Sequence, residues 1–490
     1  MNKFLVLFIF VLACYTGFSQ EVRVLSFEEV LKIAEDQSLD AISARHRYRA
    51  SYWEYVSYKA EYLPALGINT TPVNLNRSMV TVTSTEGQEL FAYQNQMRST
   101  ASININQNIG FTGGSVFINS DFQRITLLGD SITATYMAAP ISIGFSQPLF
   151  AYNRLKWERK IQPLKLQEAK RNYLASMENV NLKAVNLFFD LALAEINLRV
   201  TEMNYANNDT LFKIAKGRYN IGTIPKNELL QMELSFLNSD AAVNRAKLDL
   251  EAKKIALRSF LGYNDKVDFE LKIPEEVPAF KILYEEALAR AKENSPQVIQ
   301  LERQMIEAEQ NVAQMKAENR FNADLYASYG LTGSAPQVVD SYGSLKDQQT
   351  AVVGISIPIV DWGKRKGQYM MAQSNMEVVK TMVKQQLIDF EQDVYFQVMQ
   401  FNMQAKQCEI SQLADSIAID RYNIALQRFY IGKIDVLNLN VALTEKDDAK
   451  RSYISALRNY WIYFYTLRKI ALFDFEKGEN LVEDYDSLIE

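Results

Sequence analysis

The chain has 490 residues, 48% hydrophobic and 23% charged, with 53 Lys and Arg, 58 Asp and Glu, one His and two Cys. That length suits two to four ordinary domains or one very elongated one. The formal net charge of −5, with basic residues spread along the chain, argues against a nucleic-acid-binding stripe.

The first residues read as a secretory signal peptide over 1–19. "MNK" is a short basic start, "FLVLFIFVLA" an apolar run and "CYTGFSQ" a small-residue exit, with the cut after Ser19. A rival reading makes Cys14 a lipidation site. After ordinary cleavage only Cys408 remains, so no intrachain disulfide can form. No later stretch reaches the roughly 18 continuous apolar residues of a membrane helix. "AVNLFFDLALAEINL" comes nearest, and Asp190 and Glu195 interrupt it. Strands of a β-barrel are short and alternate, so the membrane stays open as a destination.

Next in order, Ser26 with Glu29 three residues later predicts a capping box at the start of a short helix. A second helix follows over about 39–62 and ends before Pro64. "SININ" and "ISIGF" then alternate as strands, with Ile141, Ile143 and Phe145 on one face. "TGG" at 112–114 reads as a tight hairpin turn; a phosphate loop would need a Lys and a different spacing. A helical stretch spans about 154–219, broken only by Pro163 near its start. "RYNIGTI" (218–224) then turns the chain into a return helix over about 226–260.

The phrase recurs as "RFYIGKI" (428–434), 210 residues later. Pro148 matches Pro358, Tyr152 matches Trp362, and Arg258 matches Arg468 at the same offset. Further upstream "SFEEVLKIAEDQS" (26–38) matches "LYEEALARAKENS" (283–295), so the first copy carries about 47 extra residues between roughly 64 and 148. Two long copies suggest pseudo-symmetry and not a solenoid. The boundaries read as residues 20–262 for the first repeat, with strands over about 65–149 and a helical hairpin over about 153–261. The second repeat is 263–472, with strands over about 323–360 and a hairpin over about 363–471. "LYASYGL" and "VGISI" supply its strand alternation, and its long helix covers about 364–429. Each long stretch of about 65 residues would span roughly 100 Å as a helix and must lie against neighbours. An acidic tail, 473–490, reads as a solvated and partly disordered end.

These features resemble the TolC family of outer-membrane efflux and secretion channels. The resemblance rests on the duplicated "EEVLKIAEDQS"/"EEALARAKENSP" entry, the "SQPLF" strand-to-helix exit and the twin "RY-IG"/"RF-IG" tips. It covers nearly the whole mature chain, and the longer first strand region looks like the branch found in Bacteroidetes. It implies a mainly α fold with a β-barrel contribution: a duplicated unit of strands and a long helical hairpin. It also implies a homotrimer that shares one outer-membrane barrel and one periplasmic α-helical barrel. Two strands per repeat would give the family's twelve. The first repeat's extra residues leave the strand count open: a membrane-inserted extra hairpin is one reading, and an extracellular extension is favoured, since "NSDFQRITLLGDS" lacks clean lipid-facing alternation.

The resemblance further implies a periplasmic adaptor, an inner-membrane pump of the RND or ABC type, and outer-membrane lipid as partners. The tips that would dock the adaptor are Ile221, Gly222 and Thr223 in one repeat and Ile431, Gly432 and Lys433 in the other. Arg218 and Arg428 would brace the helix ends. Gate and selectivity candidates are Glu228, Asp435 and Asn438. Asn438 stands where the second repeat usually has an acid, and Phe429 with Tyr430 stand at the usual gate tyrosine. Tyr152 and Trp362 would anchor the periplasmic membrane interface, where amphipathic rings are favoured.

Enzyme chemistry finds no support. The lone His46 cannot build a multi-His site, and no Cys cluster, nucleophile elbow or Walker A pattern is present. No catalytic residue, metal or cofactor is expected. An envelope coiled-coil rod, structural or adhesive, and a free-standing diffusion porin are the competing readings. The rod has no need of alternating strands, and the porin has no need of long periplasmic helices.

Overall fold

A computed structural model describes residues 23–83, 88–129, 132–263, 269–274, 277–278, 280–431, 433–434 and 436–489. The signal-peptide and Cys14 readings, Gly432 and Asp435 lie outside the described residues. The chain forms two compact units. One comprises Met1–Arg49, Lys170–Val298 and Leu387–Glu490, the other Ala50–Ala169 and Ile299–Gln386. Every boundary falls inside a helix, so the units cut across the two sequence repeats.

The first unit is helical. β1 (Arg23–Ser26) pairs in parallel with β6 (Phe269–Lys272). The capping box forms as the spacing predicts: Ser26 N donates to Glu29 Oε2 at 2.8 Å and Glu29 N to Ser26 Oγ at 3.2 Å. It starts α1 (Phe27–Gln37), and α2 (Leu39–Ala60) follows. The first hairpin is α3 (Arg154–Asn220) and α4 (Lys226–Phe260). After α5 (Tyr284–Asn294) and α6 (Pro296–Glu318), the second hairpin is α7 (Lys364–Tyr430) and α8 (Val436–Ala471). Both α3 and α7 have 67 residues.

An aromatic core joins these elements. The Phe27 ring lies 5.4 Å from Phe188, 5.8 Å from Phe189 and 4.9 Å from Trp461, and Phe401 lies 5.1 Å from Tyr460. Each such pair adds about 0.5–1.5 kcal/mol beyond area burial. Asp190 of α3 links the hairpins, accepting from Lys253 of α4 at 3.4 Å and Arg458 of α8 at 3.2 Å. Deeper in, Arg468 bridges Glu178 at 3.0 Å and Asp474 at 2.8 Å.

The acidic tail departs from expectation. β9 (Phe473–Asp474) pairs with β10 (Glu479–Asn480), and Phe473 is buried. Further on, Tyr485 packs 5.4 Å from Tyr48 and its hydroxyl donates to Lys170 O at 3.3 Å, while Arg49 donates to Leu488 O. Aromatic residues between the acids dock the segment, so it is ordered and not a loose solvated end.

The second unit carries one antiparallel sheet in the order β2-β3-β4-β5-β7-β8. Its strands are β2 (Ala65–Thr83), β3 (Glu89–Ile109), β4 (Gly114–Leu128), β5 (Ile132–Leu149), β7 (Asn322–Ala335) and β8 (Lys346–Ser356). The first repeat therefore supplies four strands, not two. The first repeat's extra residues are strands of this sheet: in "NSDFQRITLL" Asn119 pairs with Asn104 and Ser142, and Phe122 with Ala101 and Ala138. "TGG" is the β3–β4 turn, with Gly113 at φ 78 and its N–H on Ile109 O at 2.8 Å.

Burial pushes the Glu178 carboxyl up to about 7, with Arg468 opposing. A folded-state value above the ordinary one favours the fold below about pH 4.5, and that contribution is lost as pH rises through 7. The melting temperature should therefore fall between pH 5 and 8. Glu178→Gln, which keeps Arg468 on Asp474, should flatten that decline in thermal scans. An equally steep decline in the variant would exclude Glu178 as its source.

Candidate functional site

The sheet has two chemically distinct faces. Direct partners on one face run Leu66, Ile105, Ile118, Ile143 and Tyr329 across β2, β3, β4, β5 and β7. A parallel row runs Val116, Phe145, Ala327 and Ala351, and Leu325 pairs with Val353. The adjacent row on the opposite face runs Gly67, Asn104, Asn119, Ser142 and Gly330. There Asn69 Nδ2 also donates to Asn104 Oδ1 at 3.1 Å. An apolar face backed by a polar one is the pattern of a membrane barrel wall.

One end of the sheet is rimmed by rings. Phe111 in the β3–β4 turn is 92% exposed and Trp362, just before α7, is 96% exposed. Phe150 follows β5 and packs with tilted rings at 5.1 Å against Phe321, which precedes β7. Trp362 stands at φ 52 and Phe150 at φ 66, where the chain bends out of a strand toward a long helix. Tyr152 behaves differently: it is half-buried, and its hydroxyl accepts from Gln310 Nε2 at 2.6 Å. Phe111, Phe150 and Phe321 were missed in the sequence because they sit outside the alternating runs.

The two hairpin tips share one closing backbone bond. Gly222 has φ 77 and its N–H donates to Tyr219 O at 2.9 Å, while Thr223 N donates to Arg218 O at 3.0 Å. This pair of bonds is a Schellman motif, with Gly222 in the left-handed position after the helix. Thr223 Oγ1 adds a 2.9 Å bond to the same carbonyl. In the second tip Lys433 N donates to Arg428 O at 2.9 Å, the equivalent long closure. The carbonyls of both arginines thus take part in the closure, and both side chains lie in the last turn of their helices. Ile221 and Ile431 are 75% and 65% exposed, and a Cβ built on Gly222 meets nothing within 4 Å.

Pro225 is the N-cap of α4, one residue before the helix, and Glu228 is exposed in the first turn. Asn438 is exposed in the first turn of α8. Among the described residues no cluster of His, Cys, Asp and Glu could hold a metal ion. His46 is exposed on α2. No described helix is long and apolar enough to cross a membrane.

Comparison with known proteins decides the family. The profile of the family "Outer membrane efflux protein" matches residues 30–263 and 287–471. The chain belongs to this family. This efflux protein is an outer-membrane protein, with a strand portion for the membrane and long helices for the periplasm. Its fold is that of solved channels. The CmeC outer membrane channel of Campylobacter jejuni superposes with a TM-score of 0.65 at 14% identity, covering 94% of this chain and 88% of that one. The outer membrane protein VceC of Vibrio cholerae gives 0.60 at 13%, covering 93% and 97%. A membrane protein from Pseudomonas aeruginosa gives 0.63 at 12%, covering 96% of each. No curated protein matches in the sequence search.

The exposed rim makes an optical prediction. A variant retaining only Trp362 of the four tryptophans should be quenched by lipids brominated near the headgroup. One retaining only Trp461, which is 9% exposed in the helical core, should not. Equal quenching of the two would refute the interfacial placement of Trp362.

Proposed function

We propose that the efflux protein is the outer-membrane exit duct of a tripartite efflux or type I secretion system. It works as a homotrimer and passes small molecules or proteins from an inner-membrane pump to the outside. Its own part is passive, a conduit with no covalent step. The observation that carries this reading is the pair of matched tips. Two hairpins built on 67-residue helices end with the same closing bond, to the carbonyl of Arg218 or Arg428, and expose an isoleucine in the same place. A coiled-coil rod has no use for a two-faced sheet, and a diffusion porin has no use for matched tips at the end of such helices.

The tips are the adaptor-docking surface: Ile221, Gly222 and Thr223, with Ile431, Gly432 and Lys433. Three copies would present six of them. The isoleucines give small apolar contacts, and the glycine lets a partner backbone approach. Thr223 and Lys433 differ, so the two tips discriminate between partner surfaces. Gly222→Trp combined with Gly432→Trp should abolish export and adaptor cross-linking while the trimer still assembles. Gly222→Ala with Gly432→Ala adds no bulk, at a left-handed strain of about 1–2 kcal/mol at Gly222, and should retain docking. Full export by an assembled Trp double variant would overturn the docking assignment.

The gate lies beyond the tips' turns, at Glu228 in the first repeat and at Asn438 with Asp435 in the second. Three copies of exposed Glu228 concentrate negative charge and favour cations. Glu228→Gln should lower cation preference in planar-bilayer recordings; unchanged selectivity in an intact trimer would remove Glu228 from the gate.

A further inference from the structure

We infer that the assembled channel has an eighteen-stranded barrel, closed by pairing the β2 edge of each copy with the β8 edge of the next. The inference rests on the homotrimer proposed above and extends it. All six strands contribute to a single sheet, and its apolar face continues across every one of them, from Leu66 and Ile68 on β2 to Val353 and Ile355 on β8. The strands added by the longer first repeat carry that face as fully as the others: Ile103 and Ile105 on β3, Val116 and Ile118 on β4. They are therefore membrane wall and not an external flap.

The two outer strands are each paired on one side only. Unpaired backbone groups cannot face hydrocarbon, so the sheet must close. Six strands are too few for a single-chain barrel, since the smallest has about eight. The missing partner is a second copy of the same sheet. Strand directions alternate along the six, so β2 and β8 run oppositely and their edges can join as an antiparallel pair. Any number of copies then continues one unbroken ladder.

The helices set the number. Each chain supplies two hairpins, the same count that the resemblance assigns to a three-copy tunnel. Six strands from each of three copies make eighteen. Barrel diameter grows roughly linearly with strand number, so this mouth is about half again as wide as a twelve-stranded one. The enlargement is confined to the membrane end, because the extra residues of the first repeat all lie between the α2 and α3 helices.

The test is a cysteine panel in a Cys408→Ala background. Leu66, Ile68 or Thr70 on β2 is paired with Ala351, Val353 or Ile355 on β8, one substitution from each set. A disulfide needs Cα atoms within about 7 Å, so only adjacent edges can cross-link. At least one combination should oxidise to a ladder ending at covalent trimer, with neither single variant doing so. A control pair, Ile118→Cys with Val353→Cys, should stay monomeric. Trimer formed by the control pair would mean that β2 and β3 lie outside the wall, which overturns eighteen strands while leaving the trimer standing. A ladder ending at dimer would overturn the three-copy reading itself. Electron cryomicroscopy of the unmodified channel, viewed down the barrel, should show eighteen strands; twelve would refute the inference without any variant.

Discussion

The constraint on which this protein depends is that a sheet in lipid can have no edge. Hydrocarbon offers no hydrogen bonds, and each unsatisfied backbone group there costs several kcal/mol. The sheet meets this internally with five antiparallel ladders, and β2 and β8 are its outermost strands. The protomer is thus structurally incomplete in a defined way. Its apolar face and its Asn- and Ser-rich face are also incomplete statements, since inside and outside exist only for a closed barrel.

The same constraint explains why the two repeats diverged unequally. Their long helices are 67 residues each, the match that the docking proposal requires of two tips meeting one partner. A single helical turn added to one alone would displace its tip by about 5.4 Å. Strands are more permissive. An added up-and-down pair returns the chain to the side it left, so α3 can begin at its usual place. A barrel can accept such pairs at the cost of a wider circumference. Growth of the first repeat by about 47 residues is therefore tolerable only where it occurred, between α2 and β5.

Much of this was legible in the sequence, and the failures have physical causes. The capping box at Ser26, the long helices and the tips at Gly222 follow from local rules, and local rules survive in the fold. The extra strands were hard to read because polar residues fall on both of their faces. In "NSDFQRITLL" Asn119, Asp121 and Gln123 share one face while Ser120, Arg124 and Thr126 share the other. The segment therefore looks unpatterned, although it runs in unbroken register against β3. The tail misled for another reason. Its acids dominate the composition, while its placement is decided by Phe473 and Tyr485, whose partners Tyr48 and Lys170 are hundreds of residues distant. The tip arginines were read as charges at the helix ends, and their backbone carbonyls also make the closing bonds, which a sequence does not display.

The two units are also held by different forces. The helical unit has its own interior, with Phe27, Phe188, Phe189, Phe401, Tyr460 and Leu457 all at 2% exposure or less. Within the sheet strands, Phe117, Ala138 and Ala323 are the hydrophobic residues that are buried among those described. The apolar side chains of its outer face, such as Ile68 at 72% and Val353 at 64%, await a solvent other than water. Water penalises that face at about 25 cal/mol per Å² of apolar surface, while lipid removes the penalty and raises the cost of every open edge. Insertion and edge closure therefore favour one another. Lipid rewards the apolar face only if the ladder is complete, and completing the ladder creates a continuous apolar face that lipid can surround.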